Sequence, residues 1–141
     1  MIKLNLGCGW RNFGEDWIHI DGGDLLSEWV RCLKVGGVLR IAVPDFYSMA
    51  RLYIINDMPI ETFLGPLYGK MSMGDETIYH KTVYDAKSLK ELLLSVGMRN
   101  ISLYDWRDTE HSVFDDHSQA YIPHMDKDNG TLISLNVEAV K

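Results

Sequence analysis

The sequence predicts an α/β layer fold built on a largely parallel sheet. Two observations lead there. Short apolar or alternating runs are interleaved with stretches whose apolar residues fall at helical spacing, the pattern of strands joined by covering helices. The most apolar run, Val38-Leu39-Arg40-Ile41-Ala42-Val43, has the composition of a strand covered on both faces.

Taken in order, Ile2 to Leu6 alternates and runs into Gly7-Cys8-Gly9, a short strand ending in a glycine turn. Trp17 to Asp21 reads as a second strand, followed by Gly22-Gly23. Leu25, Leu26, Trp29, Val30 and Leu33 lie on one helical stripe, which Gly36-Gly37 stops. After the Val38–Val43 strand, Pro44-Asp45 opens a helix through about Ile55, with Asp45 as its cap. Pro59 to Leu67 is a further helical piece, and Gly69 to Glu76 a polar loop, read as a mobile loop in preference to a lid formed by Met71 and Met73. Asp85 caps a helix carrying Leu89, Leu92, Leu93 and Val96, ended by Gly97. Ile101 to Trp106 is a strand, Asp108 to Gly130 a long polar stretch of little periodicity, and Thr131 to Val140 a final strand. Phe46, Met49, Leu52 and Tyr53 mark a packing face. Trp10, Trp17, Phe63 and Tyr68 suit a core or interface better than a pocket.

The chain has 141 residues, of which 46% are hydrophobic and 24% charged, as in a one-domain globular protein. Its apolar runs are too short to span a bilayer, and no basic segment leads into an apolar one, so neither membrane nor secretory leader is expected. Fourteen Lys and Arg against 20 Asp and Glu leave a net charge of -6, which argues against a nucleic-acid partner. Cys8 and Cys32 form neither a disulfide scaffold nor a CxxC pair, and fit a reduced, cytoplasmic setting.

The first chemical signal is Leu4-Asn5-Leu6-Gly7-Cys8-Gly9. Glycines after a strand let the backbone turn sharply and let a ligand approach closely. Asp21, at the end of the next strand, can accept hydrogen bonds from both ribose hydroxyls. The bland readings are a tight turn and a solvated acid. A phosphate loop is disfavoured, because no Gly-Lys-Ser/Thr follows, and no third glycine stands at dinucleotide spacing.

These residues, together with Trp17-Ile18-His19-Ile20-Asp21, resemble the opening of class I S-adenosylmethionine-dependent methyltransferases. Glu28 to Ile41 resembles the helix–turn–strand signature of that family, with Val35 where proline is usual, and Pro44-Asp45-Phe46 follows as in a bacterial subgroup of predicted methyltransferases. Leu89 to Leu103 fits as well. The resemblance covers most of the chain, and Asn5 departs from it where many members carry an acid. It implies a Rossmann-like, mostly parallel sheet with an antiparallel last strand inserted near its edge. It also implies S-adenosylmethionine as cofactor, bound by Leu6, Gly7, Cys8 and Gly9, with Asp21 on the ribose.

The same resemblance leaves the chain short. Members carry two more strands and a helix between the second strand and the Glu28–Leu33 helix, a unit of roughly 30 residues. Here only Gly22 and Gly23 separate Asp21 from the residues that start the helix. Either the single domain of residues 1–141 carries a natural deletion, or a segment is missing from the chain after Gly23, so that Gly23 and Asp24 are not true neighbours.

Methyl transfer from a sulfonium mainly requires positioning, and an oxygen nucleophile needs a general base. Candidates cluster late: His111, Asp115, Asp116, His117, Tyr121, His124 and Asp126, with His80 elsewhere. His124 and Asp116 are the catalytic candidates, and His80, Tyr121 and His117 the substrate-binding ones. A metal held by His111, Asp115, His117 and His124 is chemically conceivable, but the spacing matches no metal signature and no metal is expected. The leading expectation is a methyltransferase for a small-molecule, conceivably sugar-like, acceptor, with a homodimer allowed for. The alternatives are a non-catalytic binding or assembly protein of the same fold and, disfavoured by the glycine spacing, a dehydrogenase.

Overall fold

The computed structural model describes residues 3–6, 17–20, 25–69, 71–73, 76–80, 82–110 and 112–141. Strands β1 (Lys3–Leu6) and β2 (Trp17–Ile20) form a parallel pair. Helix α1 (Leu25–Cys32) leads through a turn at Gly36, whose φ of 79° suits glycine, into β3 (Val38–Pro44).

Helix α2 (Phe46–Asn56) begins at Asp45, whose carboxylate accepts from Tyr47 N at 3.1 Å and from Ser48 Oγ at 2.6 Å. Helix α3 (Glu61–Tyr68) follows, then a small antiparallel hairpin of β4 (Met71–Met73) and β5 (Glu76–Ile78) where a plain loop was expected. Helix α4 (Ala86–Ser95) starts with a reciprocal cap. Ser88 N donates to the Asp85 carboxylate at 2.7 Å, Asp85 N donates to Ser88 Oγ at 3.0 Å, and the first contact holds the Asp85 carboxyl below its ordinary pKa. The helix gives way at Gly97, with φ 89°. Then come β6 (Arg99–Leu103), 3-10 turns at Trp106–Asp108 and His117–Gln119, the short pair β7 (Tyr121–Ile122) and β8 (Thr131–Leu132), and β9 (Ser134–Val140).

The mostly parallel, Rossmann-like sheet is not formed. The main sheet has the order β3-β9-β6, and β9 runs antiparallel to both neighbours. The last strand lies between β3 and β6 and runs opposite to both, so each of the sheet's ladders is antiparallel. Among the described residues the only parallel ladder is β1–β2, and it shares no ladder with β3. The strand–helix alternation is local, whereas pairing is decided by contacts nearly 100 residues apart, such as Arg40 beside Glu138. The Gly23–Asp24 junction lies outside the described residues.

Strand alternation gives the sheet two unlike faces. Leu135, Val137 and Ala139 of β9 are buried with Val30 of α1, Leu89 and Leu93 of α4, and Met98, and Leu39, Ile41 and Val43 of β3 pack against them half-buried. The opposite face carries Arg40, Ser134, Asn136 and Glu138. Lys141 Nζ ties the chain end to α1, donating at 2.7 Å to Leu33 O, a cation at the helix's carbonyl end. A second cluster joins α2, α3 and the β7–β8 pair through Met49, Leu52, Phe63, Ile122 and Ile133.

Candidate functional site

Strands β1 and β2 pair in parallel register, Lys3 to Leu6 beside Trp17 to Ile20. Leu6 is opposite Ile20, and each is the last residue of its strand. Gly7-Cys8-Gly9 and Asp21 follow those two residues directly in sequence. Adjacent strands lie about 4.8 Å apart. Gly7, Cys8, Gly9 and Asp21 lie outside the described residues, as does the Leu6 side chain.

The late segment is more ordered than its composition suggests. Asp116 caps the His117–Gln119 turn, accepting from Ser118 N at 2.8 Å and Ser118 Oγ at 2.5 Å. Gln119 is completely buried. Its Nε2 donates to Phe114 O at 2.7 Å, and its Oε1 accepts from Lys127 Nζ at 2.6 Å. Lys127 also donates to Asp115 at 2.5 Å and lies over the Trp106 ring. The buried Tyr121 hydroxyl accepts from Trp106 Nε1 at 3.2 Å and Arg107 at 3.1 Å. Asp126 accepts from Asn129 N within the turn before β8.

The structure therefore places Asp115, Asp116 and Tyr121 in the polar framework that closes this segment. His117 and His124 are exposed, and among the described residues no hydrogen bond or ion pair holds either. His80 sits apart from them at the end of α3. Its backbone N–H donates to Tyr68 O, its ring Nδ1 lies 3.2 Å from Leu67 O, and the ring covers Gly69 so closely that a Cβ there would collide with it. His111 lies outside the described residues. No group of three or more His, Cys, Asp or Glu among the described residues is arranged to hold a metal.

Sequence reasoning missed the polar sheet face beneath this segment. Arg40 donates to Glu110 at 2.9 Å and Glu138 at 3.3 Å, and its guanidinium lies 5.7 Å from the Tyr104 ring centre. Asn136 donates to Ser118 O and accepts from Ser134 Oγ, each at 2.8 Å. Burial raises the Tyr104 phenol above its ordinary pKa, and the charge of Asp116 adds to the effect. The available signal was the even spacing of Ser134, Asn136 and Glu138 within a strand whose odd positions are apolar. Chemically this face can anchor a loop and present hydrogen-bonding groups at its margin.

A depression of about 160 Å³ between α2 and β8 is lined by Ser48, Arg51, Leu52, Ile55, Asn56 and Thr131. That is below the roughly 300–1,000 Å³ of small-molecule sites. No helix among the described residues is long and apolar enough to cross a membrane. Compared with family models, with curated proteins and with solved structures, the chain matches none.

Proposed function

We propose that this chain binds S-adenosylmethionine at the shared end of β1 and β2 and transfers its methyl group to a small-molecule acceptor. The observation that carries the proposal is the in-register termination of two parallel strands at Leu6 and Ile20, each followed at once by the residues suited to the cofactor. Glycines at 7 and 9 leave room for close approach, and the Asp21 carboxylate is suited to the two ribose hydroxyls. The cofactor would supply an activated methyl on a sulfonium. The protein's part is to hold the acceptor in line and, for an oxygen nucleophile, to take its proton. Asp116 and the exposed His124 are the groups proposed for that proton, with His117, Tyr121 and His80 proposed for acceptor contacts. The reading rests on this strand-end geometry and the sequence signature, and needs no mostly parallel sheet.

Calorimetric titration with S-adenosylmethionine and S-adenosylhomocysteine tests it. Binding that is lost or weakened at least tenfold in Asp21→Ala supports the site. A folded chain that binds neither compound overturns it.

A binding or assembly protein is the second reading, favoured by the outer face of α2. Tyr47, Ile54 and Ile55 are 61%, 76% and 67% exposed there, although the opposite face already packs inward through Met49 and Leu52. A helix apolar on both sides is the kind that ends up covered. Absence of cofactor binding together with a tight protein partner on this face would establish that reading.

A further inference from the structure

Asn129-Gly130 closes the turn between β7 and β8, and we propose that it is a site of spontaneous deamidation held in check by the turn's own hydrogen bonds. Of the six asparagines in the chain, only Asn129 precedes glycine, and the others precede larger residues. The reaction lies within the chain itself. The backbone nitrogen of the following residue attacks the asparagine Cγ, a C–N bond forms, and the side-chain nitrogen leaves as ammonia. Water then opens the cyclic imide, giving either aspartate or an isoaspartate whose backbone runs through the side chain. A side chain on the attacking residue crowds that approach, so glycine is the most permissive successor.

The turn both requires the labile pair and restrains it. A Cβ at position 130 would stand 2.4 Å from Asp126 O and 3.1 Å from Ile122 O, so the fold demands glycine there. Asn129 is exposed, and water reaches its side chain. Gly130 N, the attacking atom, donates to Asp126 O at 2.9 Å. One residue earlier, Asn129 N donates to the Asp126 carboxylate at 2.9 Å. A nitrogen engaged in this way neither sheds its proton nor swings onto the Asn129 side chain until its bond opens. The folded chain therefore reacts from the opened turn, at the free-chain rate scaled by the open fraction.

Either product alters the segment that the turn closes. A carboxylate at 129 adds negative charge beside Asp128 and close to Asp126. Isoaspartate lengthens the backbone between Ile122 and Thr131, which are partners across the β7–β8 ladder. The same turn carries Lys127, whose ammonium holds Asp115 and the buried Gln119, so a change here bears on the polar framework of the late segment.

The test is timed incubation of the full chain at mildly alkaline pH, folded and in concentrated urea, with peptide mapping that separates asparagine, aspartate and isoaspartate. In urea, position 129 should convert before any other asparagine. In the folded chain its conversion should be about tenfold slower or more. Asp126→Ala frees Asn129 N, and should speed conversion of the folded chain several-fold while leaving the rate in urea unchanged. Conversion in urea that begins at another asparagine overturns the site. Equal rates with and without urea, or a folded Asp126→Ala chain no faster than the unaltered one, overturn the restraint by the turn. Should Asp126→Ala fail to fold, the two rates of the unaltered chain decide.

Discussion

Gln119 shows what a single residue does in this protein. It is fully buried, it bridges Phe114 O to Lys127, and Lys127 in turn holds Asp115. Replacing it with alanine leaves the half-buried Phe114 carbonyl and the Lys127 ammonium each short of a partner, so Gln119→Ala should cost about 1–3 kcal/mol in urea unfolding. Trp29 is the opposite case. Its indole Nε1 is buried without an acceptor among the described residues, so Trp29→Phe should leave stability unchanged or raised. Tyr104 contributes to the alkaline side of the stability profile. Its phenol is raised above its ordinary value near 10, chiefly by burial and then by Asp116. Its contribution is therefore complete below pH 10 and is lost as pH rises through the higher folded value. Unfolding midpoints of Tyr104→Phe should fall less steeply above pH 10 than those of the unaltered chain, and an identical pH profile would contradict this. None of these roles was legible in the sequence, because buried polar residues carry no periodicity. Asp116 was legible as a residue with chemistry, but its observed contacts make it a turn cap.

Elements were the most legible scale where start and stop signals are local. Asp45 and Asp85 cap α2 and α4 as their positions before apolar helical stripes suggest, and Gly97 ends α4 in the left-handed region. Asp45→Ala should cost about 1 kcal/mol. Leu93, 1% exposed at the centre of the core, should cost about 2–5 kcal/mol as alanine, both values read from denaturant midpoints. The segment from Asp108 to Gly130 was illegible as structure. Its organisation comes from three-residue turns, a two-residue strand and side-chain bonds to backbone carbonyls, none long enough to show a period. The strand after α4 ends at Leu103, short of Trp106, whose ring is needed in the buried turn beside Tyr121.

At the scale of the molecule, the antiparallel last strand was expected from the resemblance, whereas the mostly parallel sheet around it is not formed and the short β4–β5 and β7–β8 pairs were not foreseen. Pairing of β3 with β9 joins residues 38–44 to residues 134–140, and nothing local in either run states its direction, which was expected from the resemblance alone. The result is an antiparallel three-stranded sheet with one face committed to α1 and α4, and a separate parallel pair, β1 and β2. The functional account depends on that pair. Its most direct test is a titration of the isotopically labelled chain with S-adenosylmethionine, followed by backbone amide resonances. The account predicts saturable shifts centred on Leu6 and Ile20 and the residues that follow each, abolished in Asp21→Ala. Shifts confined to the outer face of α2, or none at all in a folded chain, would contradict it.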